Sequence, residues 1–235
     1  MVLNCLKINL KRKNMEHIVK ILEIEKVTHD VKRFVIEKPK DYAFKPGQAT
    51  SVTINSDNWK DDKHPFTFTS LNEDEHLEFT IKIYKEHDGL TKDLDKLKKS
   101  DELIIEEPWG AIQYKGPGYF IAGGAGVTPF IAILRDLHKK NEINGNTLLF
   151  SNKTEKDIIL KDEFEEMLGD HFINAITDVK TDKYINQFID KDFLEKHIDD
   201  FSQNFYICGP PEMIEDLKKA LKDLGAEPDA LVFEE

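Results

Sequence analysis

The chain has 235 residues, of which 40% are hydrophobic and 33% charged, and its formal net charge is -12 at pH 7. This composition is typical of a globular protein with enough apolar residues for two domains of ordinary size. The acidic charge and the lack of a basic stripe exclude nucleic acid and anionic membranes as expected partners. Because no apolar run reaches the roughly 18 residues of a membrane helix and the N-terminus lacks a signal-peptide core, we expect a cytoplasmic monomer.

The two cysteines, Cys5 and Cys208, are far apart in the sequence and form no CxxC pair. Iron-sulfur clusters and structural zinc sites need clustered ligands. We therefore predict no metal site, and any redox chemistry must use an organic cofactor.

Residues 1–14 form a basic segment before the first regular pattern. Lys7, Lys11, Arg12 and Lys13 carry its charge, and it contains no acidic residue. The segment is interpreted as an N-terminal extension, for which a dispensable tail is favoured over a basic docking arm.

Residues 15–114 have the two-residue apolar period of half-buried strands. In HLEFTIKIY, Leu77, Phe79 and Ile81 alternate with polar residues, which gives the strand one apolar face. Strands are predicted also at 17–26, 31–37, 48–54, 65–70 and 102–106, with one short helix over 91–99. Short strands separated by turns at this spacing predict an N-terminal antiparallel β-barrel.

Residues 115–235 alternate between apolar strands and amphipathic helices. The predicted strands are YFIAGG, NTLLFSN, FINAITDV, NFYICG and ALVF, and a helix follows each of the first four. This alternation predicts a C-terminal α/β domain with a parallel sheet covered on both faces. The linker is predicted at KGPG, residues 115–118.

The stretch IAGGAGVTPF, residues 121–130, joins a predicted strand to a helix through three glycines. Gly123, Gly124 and Gly126 permit close backbone approach. Thr128 and Pro129 open the helix, whose free amides face any anion placed there. The spacing is GxGxxP and not the GxGxxG dinucleotide fingerprint. A nucleotide phosphate site is favoured, and tight packing alone is the alternative.

A second turn, CGPPEMI, ends a later predicted strand in Cys208, Gly209 and Pro210. Ligands of parallel sheets bind beyond the carboxyl ends of the strands. Both turns are therefore expected on one rim, with Cys208 facing the ligand. The alternative is a small buried residue in a tight turn.

In the barrel half, Gly89 and Thr91 stand at the start of the short predicted helix. Thr91 is predicted to be the N-cap, and a capped helix end is a second place for an anion. Capping alone is the commoner explanation for such residues, and the presence of two anion-ready helix ends on the two halves of the chain favours the functional one.

Six short motifs occur in order along the chain: FKPGQ (44–48), HPFTFTS (64–70), GLTKDL (89–94), EPWGAI (107–112), GGAGVTPF (123–130) and CGPPEMI (208–214). Together they resemble the ferredoxin-NADP reductase family over nearly all of residues 15–235, and in particular its compact bacterial flavodoxin or ferredoxin reductases. The resemblance implies a flavin-binding barrel, a pyridine-nucleotide domain and a flavin ring held between them.

The barrel motif of that family, Arg-x-Tyr-Ser/Thr, falls on His64, Pro65, Phe66 and Thr67. The resemblance implies that the Thr67 hydroxyl bonds near the hydride-accepting nitrogen of the flavin and that Phe66 packs on the ring. His64 stands where the family has an arginine for the flavin phosphate. Arginine stays charged at any working pH, whereas an ordinary histidine loses much of its charge near neutrality. We therefore expect weaker, more pH-dependent flavin retention, with Lys63 assisting.

Further flavin contacts follow from the same resemblance. Gly89, Leu90 and Thr91 match a glycine and hydroxyl that suit a diphosphate, which favours FAD over FMN. The backbone groups of Ile81 and Ile83 are expected to line the flavin.

For the nucleotide, the resemblance implies that the turn at 123–129 holds the pyrophosphate, although Ala125 replaces a frequent threonine. Cys208 matches the cysteine beside the nicotinamide. In SNKTEKD, Ser151 and Lys153 can meet the 2'-phosphate that marks NADPH. The nearby acids in that loop leave NADH and a merely solvated loop as the alternative.

The function implied is an FAD-dependent NAD(P)H reductase that passes electrons one at a time to a separate acceptor protein such as flavodoxin or ferredoxin. Thr67 and Cys208 are expected to be the catalytic residues, because they position the flavin and the nicotinamide. Two alternatives remain: a reductase component of an oxygenase or other complex, and a flavin-free binding relative, which the histidine at position 64 motivates.

Overall fold

The computed structural model describes residues 15–110, 112–180 and 182–227, together with the backbone of 231–233. The predicted extension at 1–14 lies outside the described residues. Within the described part of the chain, no helix has the length and apolar character needed to cross a membrane.

The N-terminal half is an antiparallel sheet that nearly closes into a barrel. Its strands are β1 (His17–Lys26), β2 (Val31–Glu37), β3 (Ala49–Ile54), β4 (His64–Thr67), β5 (His76–Lys82) and β6 (Glu102–Ile105). They pair in the order β4-β3-β6-β1-β2-β5, and a bridge between Phe68 and Phe79 brings the two outer edges together. A five-residue helix, α1 (Leu90–Leu94), follows β5. The alternating apolar residues predicted for β5 are buried in the barrel core.

The C-terminal half is a parallel sheet with helices on both faces. Its elements are β7 (Gly118–Gly123), α2 (Thr128–Lys139), β8 (Thr147–Asn152), α3 (Lys161–Leu168), β9 (Phe172–Ile176), α4 (Lys191–His197), β10 (Asn204–Cys208), α5 (Pro211–Asp223) and β11 (Leu231–Phe233). The strand order is β11-β10-β7-β8-β9. Neighbouring strand residues such as Phe120 and Ile121 are both fully buried, because α2 and α3 pack on one face and α4 and α5 on the other.

The predicted two-domain fold, an antiparallel barrel followed by an α/β domain with a parallel sheet, is confirmed. The last barrel strand ends at Ile105 and the parallel sheet begins at Gly118, and the domain boundary between residues 114 and 115 stays a prediction.

Three elements are clearly shorter than predicted, among them β9, which ends at Ile176 and not at Val179. β4 ends at Thr67 and does not reach residue 70, because the chain changes partner there: the Phe68 amide still donates to Gln48 O, but the Thr69 amide donates to Glu78 O of β5 at 2.8 Å. The helix predicted over 91–99 is helical only as far as Leu94.

Candidate functional site

The glycine turn between β7 and α2 packs directly on the end of β10. A Cβ atom added to Gly126 would lie 2.3 Å from the carbonyl oxygen of Cys208, and one added to Gly123 would lie 2.6 Å from Met213 Sδ. Both distances are far shorter than real carbon contacts. These two glycines therefore serve close packing, which was the alternative interpretation of the motif.

Gly124 differs from its two neighbours in the motif. Its φ of +52° is in the left-handed region that favours glycine, and an added Cβ would meet nothing within 4 Å. α2 begins at Thr128 with the buried Pro129 in its first turn, and no described side chain caps it. A 3-10 turn, Gly124–Val127, runs directly into α2, and the Thr128 amide donates to Ala125 O. The amides without a helical acceptor or a side-chain cap are therefore those at the start of this turn. Open space beside uncapped amides fits a bound pyrophosphate.

The turn after β10 lies beside the glycine turn. β10 and β7 are parallel neighbours, and Cys208 is paired with Ala122, so both turns are on the carboxyl rim of the sheet. Gly209 is closely packed there as well, since its added Cβ would lie 3.2 Å from the Gly123 amide nitrogen. Pro210 is exposed before α5, and Cys208 is only 9% exposed. Contact between Cys208 and a nicotinamide stays a prediction.

Ser151 and Lys153 lie where β8 ends on the same rim. Ser151 is paired with Gly123 of the glycine turn, and Lys153 is exposed. Among the residues that the structure describes, no carboxylate is within ion-pair distance of Lys153. Asn152 lies between them and was not predicted as a site residue. Its buried side-chain amide has no hydrogen-bond partner.

The acids that follow Lys153 are engaged elsewhere. Asp157 Oδ2 accepts hydrogen bonds from the amide and the hydroxyl of Thr154. Glu155 accepts from Lys183 and from the Tyr184 hydroxyl, which lowers the pKa of Glu155. Neither carboxylate therefore neutralises Lys153 directly.

In the barrel, β4 carries the predicted flavin-facing residues. Thr67 is buried, and Phe66 is half-buried with its ring centroid 6.5 Å from that of Phe79. Pro65 is exposed. The contacts of these residues with a flavin stay predictions.

His64 begins β4, and its Nε2 lies at ion-pair distance from a carboxylate without forming a hydrogen bond. This nitrogen is buried, and Asp62 Oδ1 is 3.3 Å away. Lys63 does not assist it, because Lys63 Nζ donates to Glu106 and Glu16, and these hydrogen bonds raise the pKa of Lys63. An unsatisfied buried nitrogen at this place fits an acceptor supplied by a ligand.

The start of α1 differs from the prediction. Its N-cap is Gly89, with extended backbone and no side-chain cap, and Leu90 is its buried first residue. The prediction of Thr91 as N-cap is wrong, because the Thr91 hydroxyl accepts instead from the Tyr84 amide at 3.3 Å. An added Cβ on Gly89 would meet nothing within 4 Å, so the backbone here is open to a ligand.

The backbone groups of Ile81 and Ile83 are directed into the sheet. The Ile83 amide donates to Asp30 O at 2.8 Å, and alternation along the strand directs the peptide groups of Ile81 to the same side. The backbone groups of Lys82 face the outer edge of β5. In the described part of the chain, the strand-like contact on that edge is the bridge between Phe68 and Phe79. The Ile83 amide is thus already used within the sheet, and a contact between the backbone of Ile81 or Ile83 and a flavin stays a prediction.

A partly buried set of ion pairs, which no sequence pattern indicates, joins the two domains. Arg135 of α2 donates through Nη1 to Thr69 O at 2.6 Å and to Glu78 Oε1 at 2.8 Å, and through Nε and Nη2 to Glu163. Burial alone would lower the pKa of Arg135, but the hydrogen bonds to Glu163 and the charge of Glu78 raise it above its ordinary value.

Comparison with known proteins identifies both domains. Residues 16–142 match the model of an FAD-binding domain, and residues 120–219 match the model of an oxidoreductase NAD-binding domain.

Two curated relatives illustrate the similarity. The chain is 29% identical over 215 residues to NADH-cytochrome b5 reductase 2 of Mycosarcoma maydis, which covers 82% of this chain and 61% of that protein. It is 24% identical over 218 residues to the ferredoxin--NAD(P)(+) reductase component of the naphthalene 1,2-dioxygenase system of Pseudomonas putida, covering 89% of this chain and 65% of that protein. The chain thus spans less than two thirds of the length of either relative.

The fold is also found among solved structures. A ferredoxin NADP+ reductase from Neisseria gonorrhoeae, crystallised with bound FAD and NADP, matches with a TM-score of 0.81 at 20% identity, over 93% of this chain and 98% of that chain. The FAD-binding model alone covers more than half of the present sequence. The chain therefore belongs to the ferredoxin-NADP reductase family of flavoprotein oxidoreductases, with one domain for FAD and one for a nicotinamide dinucleotide.

Proposed function

We propose that this chain is an FAD-dependent NAD(P)H reductase that passes electrons from a nicotinamide nucleotide to a separate electron-carrier protein. The observation that carries the proposal is the open, left-handed Gly124 at the uncapped start of the 3-10 turn that leads into α2, on the rim that also holds Cys208. When bound, the flavin takes a hydride from the reduced nicotinamide and releases the electrons singly.

The barrel residues hold and orient the flavin. His64 Nε2 is an unsatisfied buried nitrogen that suits a phosphate oxygen, and the open backbone at Gly89 leaves room for the diphosphate. Thr67 offers a hydroxyl and Phe66 an aromatic face on the same strand. A diphosphate contact favours FAD over FMN, so the apoprotein should bind added FAD in equimolar amount and bind FMN more weakly.

The nucleotide domain orients the donor. The amides of the glycine turn before α2 would hold the pyrophosphate, and the turn at Cys208 lies beside them, where the nicotinamide end would bind. Neither Thr67 nor Cys208 is required to exchange a proton in this scheme, because both act by position.

The acceptor is proposed to be a separate protein such as a flavodoxin or ferredoxin. Two distant cysteines cannot ligate an iron-sulfur cluster within these residues, which supports an electron carrier outside them. The similarity to a dioxygenase reductase component favours a second candidate, in which the acceptor is an oxygenase partner. Steady-state assays with a flavodoxin, a ferredoxin and an oxygenase component decide between them, and failure to reduce any of these acceptors would contradict the proposed transfer.

Replacement of Lys153 tests the choice of nucleotide. Lys153→Ala is expected to raise the KM for NADPH about three- to fivefold, because an exposed ion pair contributes up to about 1 kcal/mol, and to leave the KM for NADH unchanged. The matched control is Lys156→Ala, another exposed lysine of the same loop. No effect on either nucleotide would show that the loop is merely solvated, and equal effects on both would show that Lys153 contacts a part common to the two nucleotides instead of the 2'-phosphate.

A further inference from the structure

Arg135 connects the helix of the nucleotide site to the strand of the flavin site. It lies seven residues after Thr128, where α2 begins, which is about 10 Å along the helix. From there its Nη1 reaches the barrel, where it donates to Thr69 O at 2.6 Å and to Glu78 Oε1 at 2.8 Å. The other edge of the guanidinium is held within the nucleotide domain by Glu163.

On the barrel side of this contact, Thr69 and Glu78 are hydrogen-bonded to each other. The Thr69 hydroxyl donates to Glu78 Oε1 at 2.7 Å, and the Thr69 amide donates to Glu78 O at 2.8 Å. Thr69 follows Thr67 by two residues, at the point where the chain leaves β4 for β5. Arg135 therefore binds the same short segment that carries the proposed flavin contacts.

Burial distinguishes this contact from an ordinary surface ion pair. The side chain of Arg135 is 18% exposed and that of Glu78 13% exposed, so solvent screens their attraction weakly. A second pair, Lys139 with Glu73, also crosses between α2 and the barrel, but its side chains are 55% and 50% exposed. Such exposed pairs contribute little. The planar guanidinium also fixes the directions of its hydrogen bonds, whereas a lysine ammonium can rotate its donors.

We propose that Arg135 is a positioning residue for hydride transfer: through Glu78 and Thr69 it sets the orientation of the nucleotide-binding helix relative to the flavin-facing strand. This inference rests on the proposed reductase function. Transfer of a proton with two electrons from nicotinamide to flavin depends on the distance between the reacting atoms, and a displacement of about 1 Å can cost about 100-fold in rate. No group on Arg135 needs to touch either cofactor.

The test compares Arg135→Gln, Arg135→Lys and Glu78→Gln with the control Lys139→Gln, which removes the exposed pair one helical turn away. Each protein is loaded with FAD and mixed anaerobically with NADH or NADPH in a stopped-flow instrument. The limiting rate constant of flavin reduction and the nucleotide Kd are obtained separately. Hydrogen exchange of the 69–78 segment is measured on the same preparations, as a readout independent of activity.

For Arg135→Gln we expect the limiting rate to fall about 10- to 100-fold, with the Kd nearly unchanged and faster exchange in the 69–78 segment. The limiting rates of Arg135→Lys and Glu78→Gln should lie between those of Arg135→Gln and the wild type. The limiting rate of Lys139→Gln should equal that of the wild type. If Arg135→Gln does not fold, the other two variants decide by the same criterion.

An unchanged limiting rate in FAD-loaded Arg135 and Glu78 variants overturns the positioning role and leaves the reductase function standing, even if their melting temperatures fall. A wild-type protein whose bound flavin is not reduced by either nucleotide overturns both.

Discussion

Replacement of Gly126 by alanine is expected to lower the free energy of unfolding by about 1–3 kcal/mol, the usual cost of overpacking. The added methyl would lie 2.3 Å from Cys208 O and 2.6 Å from the Gly209 amide nitrogen. Both are backbone atoms, which cannot rotate away as a side chain can. The glycine turn must therefore separate from the end of β10, and a shift of about 1 Å there should slow flavin reduction by nucleotide about 100-fold. Denaturant unfolding and stopped-flow reduction measure the two effects.

Gly124→Ala is the matched control for this prediction. It introduces left-handed strain of about 1–2 kcal/mol but no clash, since the added methyl meets nothing within 4 Å. Its methyl enters the space proposed for the pyrophosphate. We therefore expect Gly124→Ala to weaken nucleotide binding without disturbing the packing of the turn on β10. If Gly126→Ala were as stable and as active as the wild type, the close packing of the two turns would not matter to the site.

His64→Arg is expected to tighten FAD binding about tenfold at about pH 8, where ordinary histidines are mostly neutral. Arginine is charged throughout this range, and a hydrogen bond to a charged group contributes about 1.5–3 kcal/mol. The gain is limited because Asp62 Oδ1 lies 3.3 Å from His64 Nε2 and will attract the new charge. FAD titration of the apoprotein between about pH 6 and 8 measures both the affinity and its pH dependence.

The control is His76→Arg, an exposed histidine at the start of β5, which should leave FAD affinity unchanged. Asp62→Asn should add to the gain from His64→Arg by removing the competing charge. An FAD affinity that is the same in wild type and His64→Arg across this pH range would mean that His64 is not a phosphate ligand.

The fold was predictable from the sequence because its signals are local. The two-residue period of the barrel strands and the alternation of strands and helices depend only on which faces are buried. β4 was predicted too long because its end depends on a change of partner from Gln48 to Glu78. That choice depends on residues distant in sequence and has no signature within the strand.

The site was predicted less completely for the same reason. The glycine motif located the turn, but it did not separate Gly124, which faces open space, from Gly123 and Gly126, which pack on β10 and α5. Thr91 has the residue type of an N-cap, yet its hydroxyl accepts a hydrogen bond from the Tyr84 amide and does not cap the helix.

Arg135 and Glu78 are 57 residues apart, so no local pattern joins them. One signal was present in the composition. Only Arg12, Arg33 and Arg135 are arginines among 33 basic residues, and arginine in a chain that otherwise uses lysine indicates a need for planar, two-sided hydrogen bonding.

The central claim is that this chain holds FAD and reduces it with a nicotinamide nucleotide. The most direct measurement is the visible spectrum of the FAD-reconstituted protein before and after anaerobic addition of NADH or NADPH. We expect the absorption bands of a bound oxidised flavin. At least one nucleotide should bleach these bands, and an electron-accepting protein should restore them. A colourless protein that neither takes up FAD nor consumes either nucleotide would contradict it.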